Sequence, residues 1–343
     1  MRMKKKVYLV LILMCAIVLF YILERTILPP TGPDSERTVT VKIRSGSSLQ
    51  SISNLLIEEG VIQDRDDFIF TAKMFKLSDD LKAGQYQIPT GLSNYKILKI
   101  LSEGKVARIK VVIPEGYTAR QIASLFQQKL ETDSSKFMSL VYDEPFIKTL
   151  EVNDVSLEGY LYPDTYYFHW GLNEKRVIRY LVNEFHEKYN ASLLQKTKNM
   201  GWTVHQVLTL ASIIEGEAMI DKERPIISAV YHNRLKRGML LQADPTIQYI
   251  IPDGPRRLLH RDLEIDSPYN TYKYAGLPPG PVNNPGILSI KAALEPADVN
   301  YLYFVAVGDG SHRFSRNLQD HLRAKRKFDE YRKMVNRKQN DRN

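Results

Sequence analysis

The chain has 343 residues, 43% of them hydrophobic, a formal net charge of +9 and a single cysteine. That length and apolar content suffice for a sizeable core and suggest two globular units. The basic balance favours an anionic polymer or surface. Its lysines and arginines are scattered, apart from Lys4 to Lys6 and the stretch Arg323 to Arg342, and no nucleic-acid motif accompanies them, so nucleic acid is not an expected partner. Cys15 falls inside the first apolar run, which removes redox chemistry and a cysteine nucleophile from the rest of the chain. The histidines, among them His205, His232, His260, His312 and His321, are dispersed without zinc-ligand spacing, and no metal is expected.

Arg2 and Lys4 to Lys6 precede an uninterrupted apolar run from Val7 to Leu23, long enough to span a bilayer. The positive-inside rule predicts a cytoplasmic amino terminus for residues 1–28 and places the remaining chain on the outer side of the membrane. A cleaved signal peptide is the alternative; the run is long for one and no small-x-small site follows it. Residues 29–37, PPTGPDSER, predict a short linker. A strand at Val39 to Ile43, a turn at Ser45 and Gly46, and a helix capped by Ser47 or Ser48 follow. The same pattern recurs about seventy residues on, where Val111 and Ile113 match Val41 and Ile43, Gly116 matches Gly46 and Thr118 matches Ser48. Asp66 to Lys76 and Tyr95 to Leu101 predict helices, and GQYQIP (84–89) a strand. The expected divisions are therefore 38–105, a second strand–helix unit with connector at 106–156, a larger domain at 157–335 and a polar tail at 336–343.

LEGYLYPDTYYF (157–168) predicts a strand-like stretch whose Tyr160, Tyr162, Tyr166 and Tyr167 could stack on sugar rings, with a tyrosine-rich structural hairpin as the bland alternative. The chemistry is expected in 203–238. Thr203 and Gln206 form a capping box, and Val207, Leu208, Leu210, Ala211, Ile213 and Ile214 are apolar on nearly every side, which marks a helix buried all round. Glu215 ends that run. A carboxyl placed there is desolvated and suited to hold a proton as a general acid, whereas capping the next turn or pairing with an arginine are equally open structural roles. Glu217 lies about 200° round the helix from it, so the two are not an obvious pair. Pro225 opens a second helix ending at Lys236, Arg237 and Gly238. LQADPTIQY (241–249) predicts a polar loop, and SPYNTYKYAGLPPGPVNNPG (267–286) a long irregular one, stiffened by proline into a binding wall with Tyr269, Asn270 and Thr271. A helix at 287–294, a strand at 301–307, a GDG turn (308–310), HRFSRN and a basic closing helix from Leu318 complete the chain.

Taken together, LEGYLYPDTYYF, LASIIEGEA, ERPIISAVYHNRLKRGMLLQADPTIQY, SPYNTYKYAGLPPGPVNNPG and YLYFVAVGDGSHRFSRN resemble, in order and spacing, the signatures of the YceG-like, or MltG-type, membrane-bound endolytic murein transglycosylases. The first unit, 38–105, resembles a LysM-like βααβ module, a fold that binds N-acetylglucosamine chains; a plain scaffold is the alternative. The resemblance implies an α+β architecture with a transmembrane helix, the LysM-like subdomain and a mixed α+β catalytic domain. It implies cleavage, without water as acceptor, of the β-1,4 bond between N-acetylmuramic acid and N-acetylglucosamine, giving 1,6-anhydro ends and limiting strand length. It carries the catalytic carboxylate onto Glu215. Substrate contacts are expected from Glu158, Tyr162, Gln242, Asp244, Thr246, Tyr269, Asn270 and Thr271. No cofactor is implied; the partners would be peptidoglycan strands and wall-synthesis enzymes. The family often has a lysine where this chain has Gly216. A lysozyme-like hydrolase, needing a second carboxylate for which Glu158, Glu217 and Asp244 are candidates, is one alternative, and a non-catalytic wall-binding scaffold is another.

Overall fold

An apolar helix, α1 (Arg2–Thr26), begins a computed structural model that describes residues 2–29, 37–44, 46–252 and 254–340. Most of the predicted linker (30–36), Ser45 of the predicted turn and the end of the tail (341–343) lie outside the described residues. Tyr8–Thr26 is long and apolar enough to cross a bilayer, and Leu9 to Leu19 are exposed along it.

Two compact units follow from the pattern of contacts: residues 1–111 with 129–131 and 167–172, and residues 112–128, 132–166 and 173–343. In the first, β1 (Thr38–Ile43) buries Val39, Val41 and Ile43 and exposes the residues between them, the period of a half-buried strand. Then come α2 (Leu49–Glu58), capped by Ser48, α3 (Arg65–Met74), capped by Asp64, and β2 (Gly84–Pro89). β2 pairs antiparallel with β1, Ile43 opposite Gly84, so the order is β-α-α-β as predicted. A fourth helix, α4 (Asn94–Glu103), is capped by Ser93 and stopped by Gly104 in the left-handed region. Ile52, Leu56, Phe68, Tyr86, Ile97 and Leu101 form the core of this unit; the fully buried Tyr86 hydroxyl donates to the Lys82 carbonyl at 2.6 Å, so its burial leaves no orphan donor.

The chain continues through β3 (Arg108–Val112), α5 (Ala119–Leu130), α6 (Ser134–Val141), α7 (Glu144–Lys148) and β4 (Thr165–His169), with β3 and β4 paired in a two-stranded sheet. Only the end of the tyrosine-rich stretch is a strand; residues 157–164 are a turn at 158–160 and irregular backbone. Helices α8 (Glu174–Lys188) and α9 (Ala191–Met200), which the sequence analysis did not anticipate, carry asparagine N-caps at Asn173 and Asn190.

At the centre of the second unit stands α10 (Val204–Glu217). Its capping box is formed as predicted, and every residue from Val207 to Ile214 is buried. It packs against α11 (Arg224–Lys236), which Pro225 opens, and lies beneath α13 (Ile287–Leu294). Between these, α12 (Asp244–Ile250) corrects the prediction of a loop: Pro245 sits in its first turn, where a missing N–H costs nothing, so the proline starts a helix rather than breaking one. The stretch 267–286 has no helix or strand, as predicted. β5 (Tyr303–Ala306) and β6 (His312–Ser315) form a hairpin over the GDG turn, and α14 (Leu318–Asn340) closes the described chain.

Candidate active site

Glu215 occupies the last turn of α10 with both oxygens held. Arg224 Nη1 donates to Oε1 at 3.0 Å and the Gly286 amide to Oε2 at 2.9 Å. Gly286 is the N-cap of α13, so that amide belongs to the positive end of a helix. Arg224 is itself fixed, through Nε to Asp221 at 3.0 Å and through Nη1 to the Ser289 hydroxyl. The Glu215 and Arg224 side chains are 6% and 8% exposed. Of the roles left open for Glu215, the structure shows both burial and pairing with an arginine. A cation and a main-chain donor both point at Glu215, an arrangement complementary to a carboxylate.

A second carboxyl group, absent from the residues expected in the site, lies beside it. Glu115 stands in the turn between β3 and α5, and its carboxyl packs on Gly286: a Cβ placed on that glycine would lie 1.8 Å from Glu115 Oε1. The adjoining Gly116, at φ +77°, approaches the Glu215 side chain so closely that a Cβ there would be 3.5 Å from Cγ. Burial raises the Glu115 carboxyl above its ordinary range, the neighbouring charges of Glu215 and Asp221 add to this, and Arg224 opposes it. One sign of Glu115 was available. In the two matching strand–turn–helix segments the residue before the turn glycine is Ser45 in one and Glu115 in the other, a difference that turn formation does not require.

The remaining predicted residues fall into two groups. Glu158 is 4% exposed; Oε1 accepts from the Ala119 amide and Asn284 Nδ2, both at 2.9 Å, and burial pushes its carboxyl up to about 7. It caps α5 from inside. Tyr162 is 5% exposed, with no open ring face for a sugar. Asn270 is fully buried, donating to the carbonyls of Leu263 and Ile265 and accepting from the Tyr272 amide, so it ties the long loop to itself. Thr271 and Thr246 are buried and joined hydroxyl to hydroxyl at 2.9 Å, and Thr271 also accepts from the Ala243 amide, which fixes the start of α12 on the loop. Exposed are Gln242 and Asp244, while Tyr269 is half-buried with its ring 5.1 Å from that of Tyr249. Glu217 accepts from the Tyr231 hydroxyl at 3.0 Å, and burial pushes it up to about 7, with the Asp244 charge adding.

Beyond these contacts, a YceG-like family model matches residues 41–327. The chain belongs to the YceG-like family. It is 35% identical over 327 residues to a Bacillus subtilis protein named endolytic murein transglycosylase, covering 90% of this chain and 89% of that one. It is 35% identical over 338 residues to a Streptococcus pneumoniae protein of the same name, covering 88% of this chain and 60% of the relative. A crystal structure of a YceG-like protein from Listeria monocytogenes superposes with a TM-score of 0.60 at 36% identity, covering 83% of this chain and 98% of that one.

At Gly216, where the sequence resemblance led to the expectation of a lysine, this YceG-like chain leaves no room for a side chain. A Cβ at that position would lie 2.6 Å from Pro245 Cβ and Cγ, so the first turn of α12 packs directly on the backbone after Glu215. A lysine there would have to displace α12. Asp244 is thereby brought beside Glu217 at the end of α10.

Proposed function

We propose that this chain is an endolytic murein transglycosylase that cleaves the N-acetylmuramic acid–N-acetylglucosamine bond within glycan strands, with Glu215 as its catalytic carboxylate. The observation that carries the proposal is the placement of Glu215: buried, at the end of the central helix, with both oxygens oriented by donors. The reaction needs one proton delivered to the departing O4 and one removed from the C6 hydroxyl of the muramic acid, which closes on C1 with the high effective molarity of an intramolecular group. A carboxylate fixed by Arg224 and Gly286 suits the second task and the stabilisation of positive charge at C1. No water is consumed and the product end is 1,6-anhydro.

The apolar helix α1 would anchor the enzyme, with the charges before it keeping the amino terminus cytoplasmic and the catalytic unit on the outer face. The βααβ unit, as a LysM-like module, would hold glycan while α10 is loaded. Shortening newly made strands would bring the enzyme to the wall-synthesis enzymes that supply them. The presence of Glu115 favours one second reading, a hydrolase with two carboxylates. Borohydride treatment of products from uncrosslinked strands separates the two: anhydro ends resist reduction and hydrolytic ends do not. Products carrying only reducible ends would rule out the transglycosylase.

A further inference from the structure

Resting on that reading, we propose that Glu115 is a second catalytic residue, the acid that protonates the leaving oxygen, while Glu215 enters the reaction as the carboxylate and takes the proton of the C6 hydroxyl. The turn bearing Glu115 is fixed by a two-way main-chain exchange with the site: the Gly116 amide donates to the Asn284 carbonyl and the Asn284 amide to the Tyr117 carbonyl, both at 2.9 Å. Asn284 Nδ2 adds a third bond to the Tyr117 carbonyl at 2.9 Å. Two residues further along that strand of chain is Gly286, whose Cα carries the Glu115 carboxyl against it and whose amide binds Glu215. One glycine therefore touches both carboxyl groups, and only a residue without a side chain allows it.

The two groups are treated differently by their surroundings. Glu215 receives a guanidinium and an amide, whereas Glu115 has no hydrogen-bond or ion-pair partner among the described residues. The groups that face Glu115 are Glu215, Asp221, Arg224 and the neutral Tyr162 hydroxyl, and Arg224 is already committed to Glu215 and Asp221. A proton shared within this group belongs on Glu115. Its upward shift from burial and from Glu215 agrees.

In the reaction the C1–O4 bond breaks and the Glu115 proton goes to O4, completing the hydroxyl of the departing N-acetylglucosamine. The C6 oxygen forms its bond to C1 and its proton passes to Glu215. Transfer of that proton from Glu215 to Glu115, directly or through solvent, restores the starting state with no net gain or loss.

The test uses the full-length enzyme and uncrosslinked glycan strands. Glu115→Gln should lower kcat by about 10² or more, the range of a lost general acid, with KM within about threefold and unchanged circular dichroism. Because Glu115 works protonated, wild-type kcat should fall at alkaline pH, and the residual activity of Glu115→Gln should lack that fall. Gly286→Ala keeps the amide, and its backbone (φ −76°, ψ 170°) accepts alanine, but the methyl would occupy the place of the Glu115 carboxyl. It should lose about tenfold or more. Glu115→Gln within about threefold of wild type, residual activity that keeps the alkaline fall, or Gly286→Ala at the wild-type rate would each overturn the proposal. An active Glu215→Gln would instead overturn the function on which it rests.

Discussion

Arg224 donates to Glu215 at 3.0 Å with both side chains more than nine-tenths buried, so each is the other's close counter-charge where little water reaches. Removing one partner strands the other. Arg224→Ala should cost about 3–5 kcal/mol in urea unfolding, the usual penalty for an uncompensated buried charge. Arg224→Lys keeps the charge but cannot reach Glu215, Ser289 and Asp221 together; it should fold, lose less stability than Arg224→Ala, and turn over glycan at least about tenfold more slowly. A lysine variant at the wild-type rate would mean that orientation of Glu215 by the guanidinium is unimportant.

His205 offers a pH-dependent stability. Its Nδ1 meets the Asp154 carboxylate and its Nε2 the Pro279 carbonyl, at 2.7 Å for the latter. Both partners only accept, so both ring nitrogens must donate and the imidazole is cationic. The hydrogen bond to Asp154 raises its pKa, against the effect of burial. A raised histidine pKa stabilises the fold fully below the unfolded value, about 6.5, and the contribution disappears as pH rises through the folded value. His205→Gln should therefore be less stable than wild type by about 1–2 kcal/mol at pH 5.5 and nearly equal above the folded pKa. A constant difference across pH would show that the ring is neutral.

Glu158 and Tyr162 should report on stability rather than on glycan binding. The Glu158 carboxyl, raised to about 7 by burial, costs stability as pH climbs from the unfolded value towards 7. Glu158→Gln can still accept from Ala119 and Asn284. Its melting temperature should match wild type near pH 4 and exceed it at pH 8, by up to about 3 kcal/mol in stability. Tyr162→Ala opens a cavity in the core and should cost about 3–5 kcal/mol. Unchanged stability with weakened glycan binding in either variant would restore a substrate-contact role.

Much of the fold was legible because local signals agreed with the packing. The capping box at Thr203, the apolar run after it and the glycine-bounded strands β1 and β2 each state one structure at the level of a few residues. Pro245 was misread because proline opens helices as readily as it marks loops, and only the contact with Gly216 distinguishes the two. In the candidate site, Glu215 was singled out from its place on α10. Its partners were not, since Arg224 lies beyond a turn and the Gly286 amide is 71 residues away. Tyr162 and Asn270 looked like binding residues from their chemistry alone; burial, which depends on the whole fold, moved them inside. Glu115 was missed because nothing within its own turn shows that Gly286 and Glu215 lie against it.

Whether Glu215 carries a non-hydrolytic cleavage of glycan is decided by the release of borohydride-resistant anhydro-muramyl ends by full-length Glu215→Gln, beside Glu217→Gln. The first variant should retain its circular dichroism and lose about 10²–10⁴ in rate, as expected for removal of an acid–base group. The second, whose carboxyl is held by Tyr231 on another side of the helix, should keep most of its activity. Anhydro ends released by Glu215→Gln at the wild-type rate would exclude Glu215 as the catalytic carboxylate.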